Sequence, residues 1–181
     1  MGSVLSARDL SILSLISRFG WLREDNIATF LGSDFREPKD YIKIKGILNK
    51  LVRNGWLEKY KFLGDRPAYC TLSKIGAKSF NVRYLKTKSL VTIKHDDLVE
   101  RLAISLLYRE SDIKTEMELK SEFVHGTTKL PDFILDKNIA CEVEITEKNK
   151  KRLLEIVKNY EKLLNDNVYQ KVVYYSDKKR F

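Results

Sequence analysis

The fold of the C-terminal half is decided by residues 131–148, PDFILDKNIACEVEITEK, where two short apolar runs flank a polar turn. The alternation of apolar and polar residues predicts a strand on each side of the turn. Asp132 opens the first strand, and Glu142 and Glu144 alternate with apolar residues on the second. Because successive side chains of a strand point to opposite faces, the two glutamates share one face.

The length of the turn decides whether Asp132 joins these glutamates. A three-residue loop at 136–138 pairs Asp132 with Glu142 and sets both on one face. A two-residue loop would pair Asp132 with Val143 and turn it to the apolar side. We expect the three-residue loop, with the carboxylates of Asp132 and Glu142 within reach of one ion.

This acidic face has two interpretations. Carboxylates grouped on one side of a sheet can hold Mg²⁺ or Mn²⁺, which prefer oxygen ligands. Alternatively, the acids are the solvent face of an antiparallel sheet, and Lys148, Lys150 and Lys151 balance their charge without a metal.

The elements around this hairpin predict a layered domain. A helix that is apolar almost all round is expected at 95–110, and a strand at 113–119. After the hairpin, residues 147–164 predict an amphipathic helix, followed by a last strand at 171–177. The inward face of that helix is expected to consist of Leu153, Val157, Tyr160 and Leu164. Helix, three strands, helix and strand in this order predict an α/β sandwich with a mixed sheet.

Composition narrows the class of protein. The chain has 181 residues, of which 43% are hydrophobic and 33% charged, as in soluble globular proteins. We expect no membrane span and no targeting segment. Cys70 and Cys141 each lie in an apolar stretch, which favours two reduced buried thiols and a cytoplasmic location. With His95 and His125 as the only histidines, a Cys/His zinc cluster is excluded.

The positive charge is concentrated in the first half of the chain. Residues 1–90 contain 17 Lys and Arg against 8 Asp and Glu, whereas residues 91–181 contain 17 of each sign. The whole net charge of +9 therefore belongs to the first half. A concentrated positive field favours a polyanionic partner, with solubility as the simpler explanation.

Three helices and a hairpin are predicted in this basic half. Helical spacing predicts helices at 8–18 and 23–32, and Pro38 suits the first turn of a third helix that ends near Arg53. Turn residues at 64–67 predict a hairpin after it. The residues expected to face inward are Leu10, Leu13, Ile16, Ile27, Ala28, Leu31, Tyr41, Ile44, Leu48 and Leu51.

The third helix carries a row of cations opposite its apolar face, which makes it the candidate DNA-binding element. The alternative is an ordinary solvated face. The residues expected to contact double-stranded DNA are Lys39, Lys43, Lys45, Asn49, Lys50, Arg53, Lys59, Lys61 and Arg66. Among these, Lys45 and Asn49 are the candidates for reading bases.

The first half resembles the winged helix-turn-helix superfamily. The resemblance rests on the three helices and basic hairpin, on W-L-x(4)-I-A-x(2)-L-G at 21–32 and on N-G-W-L at 54–57. It implies that the third helix enters the major groove and that the hairpin lies along the DNA backbone. Winged helices also serve as protein-interaction modules, so this alternative stays open.

The second half resembles the PD-(D/E)xK nuclease core, and the resemblance covers residues 94–177. The resemblance implies that Asp132 and Glu142 are metal-ligand acids and that Glu100 is the helix glutamate found in many members. Glu144 occupies the position at which most members have lysine, and the side chain of Lys148 could supply that positive charge instead. A Mg²⁺-dependent endonuclease would use Asp132, Glu142, Glu144 and Lys148 in catalysis.

Taken together, the two halves resemble the replication-relaxation family of plasmids and integrative elements. The most specific match is P-D followed by E-V-E-I-T-x-K-x(3)-R-L, with Lys148 and Arg152 as the basic residues after the acidic strand. The family implies an accessory protein of plasmid replication or mobilisation, partnered by a relaxase or replication initiator. A metal-dependent endonuclease and a winged-helix repressor are the alternatives, and the second-half helices could support a homodimer. The expected domains are 1–82 and 94–181, with a linker at 83–93.

Overall fold

In a computed structural model, the chain folds into helices and two β-sheets. The structure describes residues 4–61, 68–85, 90–107, 109, 111–122, 130–144 and 150–176. Within these residues there are seven helices, one sheet of three strands and one of four. The mixed helical and strand content agrees with the expected α+β class. The chain divides into two compact units, Met1–Ser105 and Leu106–Phe181.

The first unit has a helical layer and a small antiparallel sheet. Its elements are α1 (Ala7–Phe19), β1 (Trp21–Arg23), α2 (Glu24–Phe30), α3 (Pro38–Arg53), β2 (Leu57–Tyr60), β3 (Tyr69–Leu72), α4 (Lys74–Ser79) and most of α5 (Leu90–Leu107). The strand order is β1-β3-β2, so β3 is central and pairs antiparallel with both neighbours. The sequence pattern does not predict the short strand β1, because three residues are too few to show the alternation that is typical of a strand.

Helix α1 is fixed at both ends. Ser6 and Asp9 form a capping box at its start, and Gly20, at φ 81°, ends it in a backbone conformation that favours glycine. Ile12, Leu13 and Ile16 are fully buried. Leu10, which was expected to face inward, is 47% exposed.

Helix α3 presents one apolar and one polar face. Ile44, Ile47, Leu48 and Leu51 are buried on the inner face. Tyr41, also expected to point inward, is 40% exposed instead, and its ring meets the Phe35 ring at an edge. The inner face is therefore one turn shorter at its N-terminal end than the sequence predicted.

Helix α5 begins earlier than expected and belongs mainly to the first unit. It starts at Leu90, inside the stretch predicted as a linker, and the unit boundary falls after Ser105. Ile93 packs with Trp21 and Tyr69 in one apolar cluster. The predicted linker residues 86–89 lie outside the described part of the chain.

The second unit is built on a mixed sheet, as the sequence predicted. Its elements are β4 (Ile113–Thr115), α6 (Glu116–Glu122), β5 (Phe133–Leu135), β6 (Ile139–Glu144), α7 (Lys150–Asn165) and β7 (Lys171–Ser176). The strand order β4-β5-β6-β7 combines two antiparallel pairs with the parallel pair β6–β7. Helix α7 makes the crossover that a parallel pair requires.

One predicted strand in this unit is wrong over most of its length. Residues 113–119 were expected to be extended, but only Ile113–Thr115 are, and α6 follows at once. Thr115 and Glu118 explain the change. The Glu118 N–H donates to Thr115 Oγ1 at 3.3 Å, and the Thr115 N–H donates to Glu118 Oε2 at 2.8 Å. This reciprocal pair is a capping box, which starts a helix.

The core of the second unit lies between the sheet and α7. Its buried members are Leu119, Ile134, Ala140, Ile156, Tyr160 and Tyr169. Val157, expected on the inner face, is 47% exposed, and Ile156 takes its place. Tyr160 is buried and Leu164 packs against this core as predicted, so the inner face of α7 differs from the prediction at Val157.

Both cysteines are free and buried, as predicted. Cys70 lies on β3 in the first unit and Cys141 on β6 in the second. Burial raises the pKa of each thiol to about 12, so neither is a reactive thiolate at neutral pH. Within the described residues, none of the helices combines the length and apolar character needed to cross a bilayer.

Candidate functional site

The outward face of α3 gathers cations with apolar, small and polar residues. Lys39, Lys43 and Arg53, three of the predicted DNA contacts, are exposed there. Ile42, Gly46 and Asn49 are exposed on the same helix, and Ile42 keeps 69% of its surface in solvent. We call these six residues the α3 outer face.

Lys50 is not part of this free surface. Its Nζ lies 2.6 Å from Oδ2 of Asp9, a carboxylate with no solvent exposure in the capping box of α1. Although burial opposes ionisation, the hydrogen bonds from Lys50 and Ser6 lower the pKa of Asp9. Lys50 thus joins α3 to α1 while 41% of its side chain stays exposed, so one of the four cations of the predicted row is engaged by a buried acid.

Glu24 engages two further predicted DNA contacts. Its carboxylate has no solvent exposure, and it lies 3.2 Å from Lys45 Nζ and 2.5 Å from Lys59 Nζ. Oε2 also accepts the backbone N–H of Ala68 at 3.1 Å. Although burial disfavours the charged form of Lys45, hydrogen bonding to Glu24 raises the pKa of Lys45. This cluster ties together the start of α2, α3 and the strands, and it leaves 25% of the Lys45 side chain exposed.

Asn49 is oriented by the same cluster. Lys59 Nζ donates to Asn49 Oδ1 at 3.0 Å. Because an ammonium group can only donate, this bond fixes which end of the amide faces Lys59. Lys61, just after β2, is exposed, and Arg66 lies outside the described residues.

Nothing in the described part of the chain requires a glycine at position 46. A Cβ added at this position meets no atom within 4 Å. Glycine in a helix interior costs about 1 kcal/mol relative to alanine. By contrast, a Cβ at Gly76 of α4 would lie 2.5 Å from the Trp56 carbonyl oxygen, so that glycine is needed for packing.

The predicted three-residue loop between β5 and β6 is confirmed. Phe133 pairs with Cys141 and Leu135 with Ile139, which leaves 136–138 as the loop. Asp136 and Lys137 adopt positive φ values of 49° and 72°. Continued by one residue, this register brings Asp132 alongside Glu142.

Asp132 is bonded to the backbone on both sides of Glu142. Its N–H donates to the Cys141 carbonyl at 3.0 Å, and its Oδ2 accepts the Val143 N–H at 2.7 Å. Alternation along the strands puts Asp132 with Ile134, and Glu142 with Ala140, on the side of the sheet covered by α7. We call Asp132 and Glu142 the acidic pair.

Glu142 is neither solvated nor on an open face, so the solvent-face interpretation is wrong for this residue. It is 5% exposed, and the Tyr160 hydroxyl of α7 donates to its Oε1. Burial and this carboxylate raise the pKa of Tyr160, so the phenol stays protonated and can donate. Glu142 thus lies under α7, in a strand whose central residues are buried on both faces.

The remaining predicted site residues lie at the end of β6, on another element or outside the described part of the chain. Glu144 is half-buried at the end of β6, whereas Glu100 is on α5, in the first unit. There Glu100 is 3% exposed and accepts a hydrogen bond from Asn26 Nδ2 at 3.3 Å. Lys148 and His125 lie outside the described residues.

The acidic pair fits a divalent metal in ligand type. Both side chains offer carboxylate oxygens, which Mg²⁺ and Mn²⁺ prefer. In the part of the chain that the structure describes, no three or more His, Cys, Asp or Glu side chains form a metal-binding group. Asp132 and Glu142 would be ligands of such an ion, and a bound Mg²⁺ would supply activation of water near a phosphate.

None of the family models, curated proteins or solved structures compared with this chain matches it.

Proposed function

We propose that this chain is a DNA-binding accessory protein of plasmid or mobile-element replication or mobilisation. The observation that carries the proposal is the α3 outer face, where Lys39, Lys43 and Arg53 are exposed. Three other cations of the region are held by buried acids. The exposed charges therefore have a separate role from those that stabilise the fold.

The order of elements in the first unit supports a winged helix-turn-helix. Helices α1 to α3, with β1 between the first two, are followed by β2 and β3, which pair with β1 in one small sheet. In that arrangement α3 is the helix that enters the major groove, and the β2–β3 hairpin lies along the DNA backbone. Glu24 would keep helix and hairpin in a fixed geometry.

Most of the binding energy is expected from phosphates. Lys39, Lys43 and Arg53 are spread over four turns of α3, a length that suits contacts to the phosphates flanking one groove. Such contacts position a protein on DNA and make its affinity fall steeply with salt.

The second unit supports the link to plasmid replication or transfer. The acidic pair, the mixed sheet and α7 fit a PD-(D/E)xK nuclease-like fold, which the resemblance of residues 131–153 also favours. In this proposal the unit handles DNA or docks a relaxase or replication initiator. A fold of this kind does not by itself imply cleavage.

Fluorescence anisotropy with labelled duplex DNA tests the DNA-binding proposal. Lys43→Ala should weaken binding several-fold, because it removes one phosphate contact. Lys78→Ala is the matched control, since Lys78 is an exposed lysine of α4 in the same unit. Equal affinities of both variants and the unmodified protein would rule out docking through α3.

A metal-dependent DNA endonuclease is the second candidate, favoured by the register that brings Asp132 alongside Glu142. Supercoiled plasmid should be incubated with Mg²⁺ or Mn²⁺ and the protein, or with Asp132→Ala. Nicking that requires the metal and Asp132 supports the enzyme. Binding without nicking supports the accessory role.

A further inference from the structure

We propose that α3 reads thymine in the major groove, with Ile42 against the thymine methyl group and Gly46 as the point of closest approach. The inference rests on the proposed function, because it specifies which duplexes the α3 outer face recognises.

Ile42 is a large apolar side chain in the middle of a cationic surface. It is 69% exposed on α3, and Lys39 and Lys43 lie within one turn of it. Nothing in the first unit covers it among the described residues. An exposed isoleucine beside phosphate-binding cations suits the C5-methyl of thymine, the apolar group on a base edge in the major groove.

Ile42, Gly46, Asn49 and Arg53 form one row along the helix. Their spacings are 4, 3 and 4 residues, which keep them on one face of an α-helix. Gly46 lies at the centre of the row and has open space where a Cβ would be. The missing side chain lets the helix backbone approach the floor of a groove closely.

Asn49 adds a polar contact whose direction is set. Its Oδ1 is engaged by Lys59, so the Nδ2 hydrogens are the part of the amide left to meet a ligand. Donors of this kind match the acceptors of the major groove, purine N7, guanine O6 and thymine O4. The preference for sites that contain A·T pairs therefore comes from Ile42, and Asn49 adds a polar contact beside it.

Duplex DNA, rather than an apolar protein partner, is the occupant that the charges favour. Lys39 and Lys43 lie beside the row and Arg53 ends it, and no acid of α3 other than Asp40 in its first turn accompanies them among the described residues. Asp40 is half-buried and accepts the backbone N–H of Asp34 at 2.9 Å.

The test begins with selection of preferred sites from a randomised duplex library. Thymines in the selected site are then replaced one at a time by deoxyuridine, which lacks only the methyl group. For the unmodified protein, one replacement should weaken binding by about fourfold, the factor for one buried methyl-sized group. Ile42→Ala should bind thymine and deoxyuridine duplexes equally.

Two variants complete the design. Ile75→Ala is the matched control, since Ile75 is 63% exposed on α4, and it should keep the fourfold difference. Gly46→Ala should raise the melting temperature by a few degrees yet weaken binding about tenfold, because the new methyl group stands in the groove.

The outcomes separate the two proposals. If the unmodified protein binds no duplex, the proposed function and this inference both fail. If it binds DNA without regard to the thymine methyl, or if Ile42→Ala keeps the fourfold difference, only the thymine-reading inference is overturned. Selection of an apolar peptide partner without DNA binding overturns both.

Discussion

At the scale of single residues, two buried carboxylates determine what the basic surface can do. Asp9 holds Lys50, and Glu24 holds Lys45 and Lys59, in ion pairs of 2.5–3.2 Å. The sequence identified all three lysines as DNA contacts because each lies on α3 or β2. Their partners are 21 to 41 residues away in the chain, and such pairing depends on tertiary structure that periodicity does not reveal.

Replacing Glu24 by glutamine should destabilise the first unit. The change leaves two cations without the carboxylate that compensates them, which should lower the free energy of unfolding by about 2–4 kcal/mol. Glu37→Gln, at an exposed position just before α3, should cost less than about 1 kcal/mol. Urea unfolding of both variants measures the difference, and equal losses would contradict a structural role for Glu24.

Asp9 should give stability a dependence on acid pH. Because its pKa is lower in the folded protein than the ordinary value of 3.8, its contribution is present above that value. The contribution is lost as pH falls through the lower folded pKa. The difference in free energy of unfolding between the unmodified protein and Asp9→Asn should therefore be smaller at pH 3 than at pH 6, as measured by urea titrations. A gap that stays constant would show that Asp9 does not titrate in this way.

At the scale of elements, patterns that depend on near neighbours were predictable and patterns that depend on docking were not. The register of β5 and β6 was predicted correctly, because it depends only on whether the turn between them has an odd or an even number of residues. The sequence also contains, at 115–118, the T-x-x-E signature that starts α6. The strand predicted there did not take this signature into account. The burial of Glu142 follows from the position of α7, which no local pattern determines.

The exchange of Val157 for Ile156 on the inner face of α7 gives a test at this scale. Ile156→Ala should lower the free energy of unfolding by about 2–4 kcal/mol, because it leaves a cavity beneath the helix. Val157→Ala, one residue away and 47% exposed, should change it by less than about 0.5 kcal/mol. Thermal or urea unfolding distinguishes them. A larger effect at Val157 would restore the inner face predicted from the sequence.

Tyr160 tests the acidic pair. Tyr160→Phe removes the hydroxyl that donates to Glu142 and should cost about 1–3 kcal/mol, since the buried carboxylate loses a donor. Added Mg²⁺ should raise the free energy of unfolding of the unmodified protein if Asp132 and Glu142 bind the ion, because binding stabilises the folded state. Urea unfolding with and without Mg²⁺ measures both effects. A free energy of unfolding that Mg²⁺ does not change would speak against the metal site.

At the scale of the whole molecule, charge and fold divide the chain in different ways. The net charge of +9 belongs to residues 1–90, whereas the first compact unit extends to Ser105 and includes most of α5. Arg23 Nη1 lies 3.0 Å from Asp97 Oδ2, and this pair attaches α5 within that unit. The basic, helix-rich unit is the part proposed to dock on DNA.

The most direct test is the salt dependence of duplex DNA affinity. For the unmodified protein, the logarithm of the association constant should fall linearly with the logarithm of salt concentration. Combining Lys39→Ala, Lys43→Ala and Arg53→Ala should reduce the magnitude of the slope by about 0.9 for each phosphate that the variant no longer neutralises. Lys78→Ala should leave it unchanged. A triple variant with the slope and affinity of the unmodified protein would contradict DNA docking through the α3 outer face.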